Sequence, residues 1–324
     1  MVPISAEFAV GRNGNKTTSG SIPPWLQGAL LRNGPGRFSV GDASYKHWFD
    51  GMAFIHSFTF NSGDVFYRSK FFKNETYKKN AVANRIVVSE FGSMVFPDPC
   101  KNIFAKTFSH LQNTFPDFTD NNLINIIRYV AAYYASSEVK CINQIDTITL
   151  DTLGRTNYRN HIALNVATAH PHYDADGNTH NMGTAIMSFG RPKYVIFKVP
   201  ASASDKGKKP ALSEVEQICS IPTNVINKCM NVIHLVNRKT GKTVSTMYIT
   251  DAFAVFHHIN AYEEDGHVVF DLITYQDSNL YDMFYLKNMK QDVDKFMYTN
   301  KDYSQPTCQW FVLPVNIGKV KNGI

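Results

Sequence analysis

The sequence predicts an all-β fold, and three observations carry that reading. From Trp25 onward the 324-residue chain is a succession of short apolar or alternating segments. Clusters of Gly, Asn, Asp and Ser punctuate them roughly every 8–12 residues, the rhythm of a sandwich, barrel or propeller rather than of an α/β fold. Aromatic residues are abundant, with 23 Phe and 16 Tyr, and aromatic side chains favour pleated, half-buried surfaces. Most of them belong to strand packing, although a pocket for an apolar ligand would draw on the same residues.

Taken in order, residues 1–24 read as a polar N-terminal arm that ends at Pro23-Pro24. Residues 25–324 then read as one partial β-domain. Residues 53–60 alternate, turn at Asn61-Ser62-Gly63-Asp64 and return along 65–68, which predicts a hairpin. Residues 100–112 depart from the strand pattern. Phe104, Phe108 and Leu111 recur at helical spacing with Lys101 and Lys106 between them, which predicts a short amphipathic helix with a basic edge. Such a helix packs on the body or dips into a membrane interface.

The apolar run at 162–167 leads to His170-Pro171-His172 and then to a turn at Asp174, Asp176, Gly177 and Asn178. The proline excludes a helix interior and a mid-sheet position. Residues two apart share a side in an extended chain, so His170 and His172 are expected to project the same way from a strand end. Residues 231–236 and 243–244 flank an Asn237-to-Lys242 turn as a second hairpin. A third follows: 253–260 carries His257-His258, and Asp265-Gly266 leads into 267–273. Adjacent strand residues face opposite sides, so only one of His257 and His258 can address a given centre. Neutral imidazole binds iron, zinc and copper readily, and one histidine from each of several strands is a metal site that a propeller can build.

Composition narrows the classes. Hydrophobic residues at 44% and charged residues at 19% fit a soluble globular protein. The net charge of +6 is modest, and no Lys/Arg run exceeds a pair, so no nucleic-acid partner is expected. A weakly basic surface still suits an anionic membrane. The five cysteines are far apart with no C-x-x-C. With no apolar signal core at the N-terminus and no long apolar run, a reducing, cytoplasmic setting is expected. The sequons at Asn15 and Asn74 then carry no meaning.

Several stretches resemble the carotenoid cleavage oxygenase family, most closely its animal branch of β-carotene oxygenases and a retinoid isomerase. They are Leu31-Arg32-Asn33-Gly34-Pro35-Gly36, His47-Trp48-Phe49-Asp50-Gly51-Met52-Ala53, the run from Phe96 to Phe104, Thr168-Ala169-His170-Pro171-His172, Phe256-His257-His258-Ile259-Asn260 and Val312-Leu313-Pro314-Val315-Asn316. The resemblance runs in order along nearly the whole chain. It implies a seven-bladed β-propeller with helices and loops roofing a hydrophobic tunnel on one face. It implies one ferrous iron per subunit on the axis, held by four histidines, with a carotenoid or retinoid and O2 as substrates. Oxidative cleavage of one polyene double bond gives two aldehydes.

By the same resemblance His170 and His257 are iron ligands, each the first histidine of its pair, and Glu138 hydrogen-bonds a ligand imidazole, fixing its orientation. Phe104, Phe108 and Leu111 would then touch the membrane, making the protein peripherally membrane-associated. No Ser/His/Asp triad or carboxylate pair stands out, and this chemistry needs none. Neither histidine stretch contains cysteine, which disfavours a thiolate-rich zinc or iron–sulfur site.

Two departures from the family pattern bear on activity. Only two of the four histidines are present: a stretch ending in His-Ser-Phe-Gly is absent from the short interval between His170 and His257. His234 falls in that interval, but its context matches a family strand whose histidine is not a ligand. The chain also ends at residue 324, before the fourth ligand's place. A fragment, a shortened gene product or a decayed paralogue is therefore expected, with an incomplete propeller and weak catalysis. The alternatives to a dioxygenase are a non-catalytic carotenoid- or retinoid-binding paralogue and a retinoid isomerase.

Overall fold

Alternating sequence folds into antiparallel ladders in the structure, a computed structural model that describes residues 8–10, 22–95, 119–186, 192–201, 211–222, 230–303 and 305–315. The chain divides into two compact units, Met1–Pro222 and Thr223–Ile324.

The first unit holds three main sheets. Strands β1 (Phe8–Val10), β2 (Gly28–Arg37), the small ladder of β3 (Ser39–Val40) with β4 (Ala43–Ser44), β5 (Met52–Asn61) and β6 (Asp64–Phe71) come first, and β1–β6–β5–β2 form one sheet. β1 lies within the stretch read as a polar arm, where it pairs with β6. The β5–β6 hairpin is the one expected at 53–68. Ser62 and Gly63 both take positive φ, 51° and 89°, the backbone of a two-residue turn whose twist matches its strands. Helix α1 (Glu75–Ala83) follows. It is capped by Asn74, whose side chain accepts from Tyr77 N at 2.7 Å, and ends at Asn84 in the left-handed region.

The second sheet is β7 (Asn125–Tyr129), β8 (Ala132–Ser136), β9 (Cys141–Ile145) and β10 (Thr152–Asn157), in consecutive order. The third contains β11 (Val166–Ala167), β12 (His172–Tyr173), β13 (Thr179–Ala185), β14 (Lys193–Val199) and β15 (Glu216–Pro222). The second sheet is sandwiched, and strand alternation supplies both of its faces. Ile127, Tyr129, Tyr134 and Ile142 pack with Val195, Phe197 and Val199 of the third sheet. Ala135 and Ile145, with Ile126, pack with Ala53 and Ile55 of the first.

One edge strand from each sheet lies beside the next. The Asn33 side chain on β2 donates to Asn122 O at 2.6 Å, just before β7. The Asn125 side chain on β7 donates to Ala169 O at 2.8 Å, between β11 and β12. In both asparagines Oδ1 accepts the N–H of the following residue, Gly34 or Ile126. Each thereby satisfies its strand locally and fastens the neighbouring sheet.

In the second unit β16 (Met230–Ile233) pairs with β17 (Tyr248–Asp251), and β18 (Ala254–Glu264), β19 (His267–Tyr275) and β20 (Thr307–Pro314) form a meander. Short helices α2 (Leu286–Met289) and α3 (Val293–Thr299) precede β20. Of the hairpin expected at 231–244, only the single bridge Val236↔Thr243 closes the turn, and the ladder itself runs to β17. The β18–β19 hairpin turns at Asp265 and Gly266, both with positive φ. Phe270, Leu272 and Leu313 form this unit's core. The fold is mostly β with a few short helices, as the sequence predicts; among the described residues no sheet closes on itself.

Candidate metal centre

His170 sits in a break in an edge strand. β11 and β12 both pair with the same edge of β13, but in different registers: Val166↔Thr184 and Ala167↔Gly183 before the break, His172↔His180 and Tyr173↔Thr179 after it. Residues 168–171 therefore stand opposite only two residues, Asn181 and Met182. Pro171 has no N–H to give to a ladder, which is why pairing lapses here. β11 approaches β13 closely: a Cβ at Gly183 would meet Val166 O and the Leu164 side chain.

The break is organised by Asn181, 5% exposed. Its Oδ1 accepts from Thr168 Oγ1 at 2.6 Å and from Met182 N at 2.8 Å. Its Nδ2 donates to Thr168 O at 3.0 Å and to Tyr129 OH at 3.2 Å. Thr168 Oγ1 in turn accepts from His170 N at 3.3 Å. Behind them the Tyr129 and Tyr158 hydroxyls lie 3.3 Å apart. Burial pushes the Tyr129 phenol up to about 12 and Tyr158 well above its ordinary value, so both stay protonated and serve as neutral hydrogen-bonding groups.

Glu138 lies in the β8–β9 connection, not on a strand, and is exposed. Its Oε1 accepts from Ala169 N at 3.4 Å, one residue from His170. The next residue fastens the same segment, Val139 O accepting from Ala167 N at 3.3 Å. The far side is braced by Asp174, which accepts from Asp176 N, from Asn178 N and Nδ2, and from His180 Nε2. The hydrogen bonds from His180 and Asn178 hold the Asp174 carboxyl far below its usual range. The expectation that His170 and His172 project alike from one strand does not apply. His172 is on β12, His170 is on no strand, and the register changes between β11 and β12.

His257 and His258 lie on β18 between two bulges, at Phe256 and Ile259. They pair with Ile273 and Leu272 respectively. Cross-strand partners share a face, so the two histidines belong to opposite faces of the sheet. His258 is on the face of the Phe270/Leu272/Leu313 core and His257 on the other. The bulged Phe256 ring packs against Tyr275, Tyr281 and Phe284 at 5.8, 5.1 and 6.5 Å, and against the His257 ring at 6.3 Å.

His170, His257 and His234 are exposed. The ring nitrogens of His170 and His257 make no hydrogen bond among the described residues. Each is thus an open imidazole of the type iron accepts, and the donor chemistry fits. His170 belongs to the first unit and His257 to the second. Among the described residues no three His, Cys, Asp or Glu side chains gather as a metal-holding group. Phe104, Phe108 and Leu111 lie outside the described residues. No helix among the described residues is long and apolar enough to cross a membrane.

Sequence reasoning missed Asn181, Thr168 and the asparagine fasteners, because a polar residue on a strand reads as solvent-facing. The His47 motif forms a buried turn. His47 Nδ1 accepts from Phe49 N, and Asp50 accepts from His47 N, Gly92 N and Ser93 Oγ.

The chain matches the family model described as retinal pigment epithelial membrane protein over residues 4–230 and 225–323. It is 48% identical over 344 residues to β,β-carotene 15,15'-dioxygenase of Gallus gallus, covering 91% of this chain and 65% of that protein. Against the same enzyme of Homo sapiens it is 45% identical over 351 residues, covering 93% and 63%. Against the mitochondrial carotenoid-cleaving dioxygenase of Homo sapiens it is 33% identical over 347 residues, covering 92% and 59%. The chain thus spans less than two thirds of the length of these relatives. Among solved structures, cobalt-substituted Synechocystis apocarotenoid oxygenase superposes with a TM-score of 0.69 at 21% identity, over 95% of this chain and 67% of that one. That likeness is one of fold.

Proposed function

The chain belongs to the retinal pigment epithelial membrane protein family, and from that premise we propose that it derives from a dioxygenase that cleaves a carotenoid polyene double bond to apocarotenoid aldehydes. The observation that carries the reading is the 48% identity to a β,β-carotene 15,15'-dioxygenase across 91% of the chain. In this reading the sheets are blades of a seven-bladed propeller, and His170 and His257 are two of the residues that hold a ferrous iron. When bound, the iron supplies the activation of dioxygen for oxidative cleavage.

The protein's own residues have separable roles. The Asn181–Thr168 bridge and Glu138 fix the backbone at 168–170, so the His170 ring is presented from a rigid support. The β18–β19 register puts His257 and His258 on opposite faces, and the reading takes His257 as the ligand. No group need shuttle a proton, in keeping with an apolar substrate. The Phe104, Phe108 and Leu111 stripe is the membrane contact through which that substrate enters, and the protein works at the cytoplasmic membrane surface.

The test is incubation with β-carotene, ferrous iron and O2, with chromatography of the products. Apocarotenoid aldehydes are expected, formed slowly, in line with the weak catalysis that two identified histidine ligands allow. Carotenoid binding without aldehyde, or a retinol isomer formed from a retinyl ester, would overturn the reading in favour of a binding protein or an isomerase.

A further inference from the structure

A solvent-open cleft of about 340 Å3 lies on the first unit, and neither His170, His172 nor Glu138 is among the residues that line it. Ala29 and Leu31 of β2, Ile126 and Arg128 of β7, Tyr133 of β8 and Tyr173 of β12 line it. Its size falls within the roughly 300–1,000 Å3 typical of small-molecule sites, and it is open to solvent, with Ala29, Arg128, Tyr133 and Tyr173 all exposed. Arg128 is the one charged residue of the lining, and no carboxylate accompanies it. Among the described residues its guanidinium has no hydrogen-bond or ion-pair partner.

The second polar group is held in place. Tyr173 OH accepts the backbone N–H of Arg128 at 2.9 Å. That bond uses the oxygen's lone pair and leaves the O–H proton free to be donated. A fixed hydroxyl donor thus stands on the strand position that carries an unpaired guanidinium. The remaining wall is apolar: Leu31 and Ile126 pack at the margin of the Ala53/Ile55/Ala135/Ile145 cluster, and Ala29 and Tyr133 extend it.

We propose that this cavity binds a medium-chain monocarboxylate, its head on Arg128 and Tyr173 and its tail along Leu31, Ile126, Ala29 and the Tyr133 ring. One guanidinium matches one negative charge, and its planar fork matches a planar carboxylate in two parallel hydrogen bonds. A phosphate dianion would leave uncompensated charge and nothing to cover the apolar wall. An uncharged alcohol would leave the guanidinium unused.

Isothermal titration of the full chain with sodium octanoate, 1-octanol and inorganic phosphate tests this, with circular dichroism as the check on folding. Octanoate is expected to bind saturably at one site, and octanol and phosphate at least tenfold more weakly. Arg128→Gln should weaken octanoate by about tenfold or more, because a charge-assisted bond is lost. Tyr173→Phe, which keeps the ring and removes the donor, should weaken it severalfold. Absence of saturable octanoate binding overturns the proposal, as does octanol or phosphate binding as tightly as octanoate. Undiminished binding to a folded Arg128→Gln chain places octanoate elsewhere and also overturns it. If that variant does not fold, undiminished binding to Tyr173→Phe has the same force.

Discussion

Asn181 and Thr168 hold each other across the gap between β11 and β12. The Thr168 hydroxyl donates to Asn181 Oδ1 at 2.6 Å, and the Asn181 amide donates to the Thr168 carbonyl at 3.0 Å. Between them they replace the ladder bonds that Pro171 forbids, and they keep a four-residue excursion rigid where a loop would otherwise wander. Asn181→Ala would strip the buried Tyr129 hydroxyl of its amide donor, and the half-buried Thr168 hydroxyl and carbonyl of their partner. Each such orphan costs about 1–3 kcal/mol, so the urea midpoint should fall by the equivalent of at least about 2 kcal/mol. Amide exchange at residues 168–173 should accelerate more than elsewhere. Exchange that is unchanged there would show that the bridge does not govern the segment.

Iron content should separate the histidines. His170→Ala and His257→Ala are each expected to lower bound ferrous iron, measured by elemental analysis after anaerobic loading, while His258→Ala has a milder effect. The motivation is the β18–β19 register, which assigns His257 and His258 to opposite faces. If His258→Ala loses iron and His257→Ala keeps it, the facing is reversed.

Glu90 should make the protein less stable as pH rises. Its side chain is buried, accepts from Thr119 Oγ1 at 2.7 Å, and has its carboxyl pushed well up by burial, with Asp50 and Asp120 adding to the effect. The native state therefore keeps this proton to higher pH than the unfolded chain, where a glutamate titrates near ~4.3. Wherever the native state holds more protons, stability declines as pH increases. Glu90→Gln should flatten that decline from the ordinary glutamate range upward, in denaturant melts collected across pH. An unaltered slope would exclude Glu90 as its source.

Membrane attachment is expected to depend on the stripe at 100–112. The double substitution Phe104→Asp with Phe108→Asp should abolish co-sedimentation with anionic liposomes, and raised salt should weaken the wild-type protein's pelleting through Lys101 and Lys106. Equal pelleting of both proteins rejects the attachment.

The hairpins were legible where the chemistry of the turn was local. Ser62-Gly63 and Asp265-Gly266 carry the positive φ that their turns require, and the strands beside them alternate. The core faces of the second sheet follow from the same alternation, Ile126 to one side and Ile127 to the other. What stayed hidden was long-range. A proline between two histidines announces an interruption but not the change of register, which depends on what β13 offers opposite. Asn33 and Asn125 look like strand-weakening polar residues until the adjoining sheet is present to receive them. Glu138 reads in sequence as an isolated polar residue, but the apolar run before it ends at Ser136 and leaves it in a connection that reaches Ala169. Residues 100–112 lie outside the described part of the chain.

The slip between β11 and β12 is even: four residues stand against two, so the pairing moves by two positions. Because sidedness in a sheet alternates with period two, an even slip leaves His172 and Tyr173 facing as an uninterrupted strand would have them. An odd slip would invert β12, carrying Tyr173 away from Arg128 and turning the other face of the strand toward it. The segment from Thr168 to Pro171 is thus under a parity rule: a single-residue insertion or deletion is disruptive wherever it falls, whereas removal of two residues preserves facing and erases only the protruding histidine. Length variation among related chains at this point should come in steps of two.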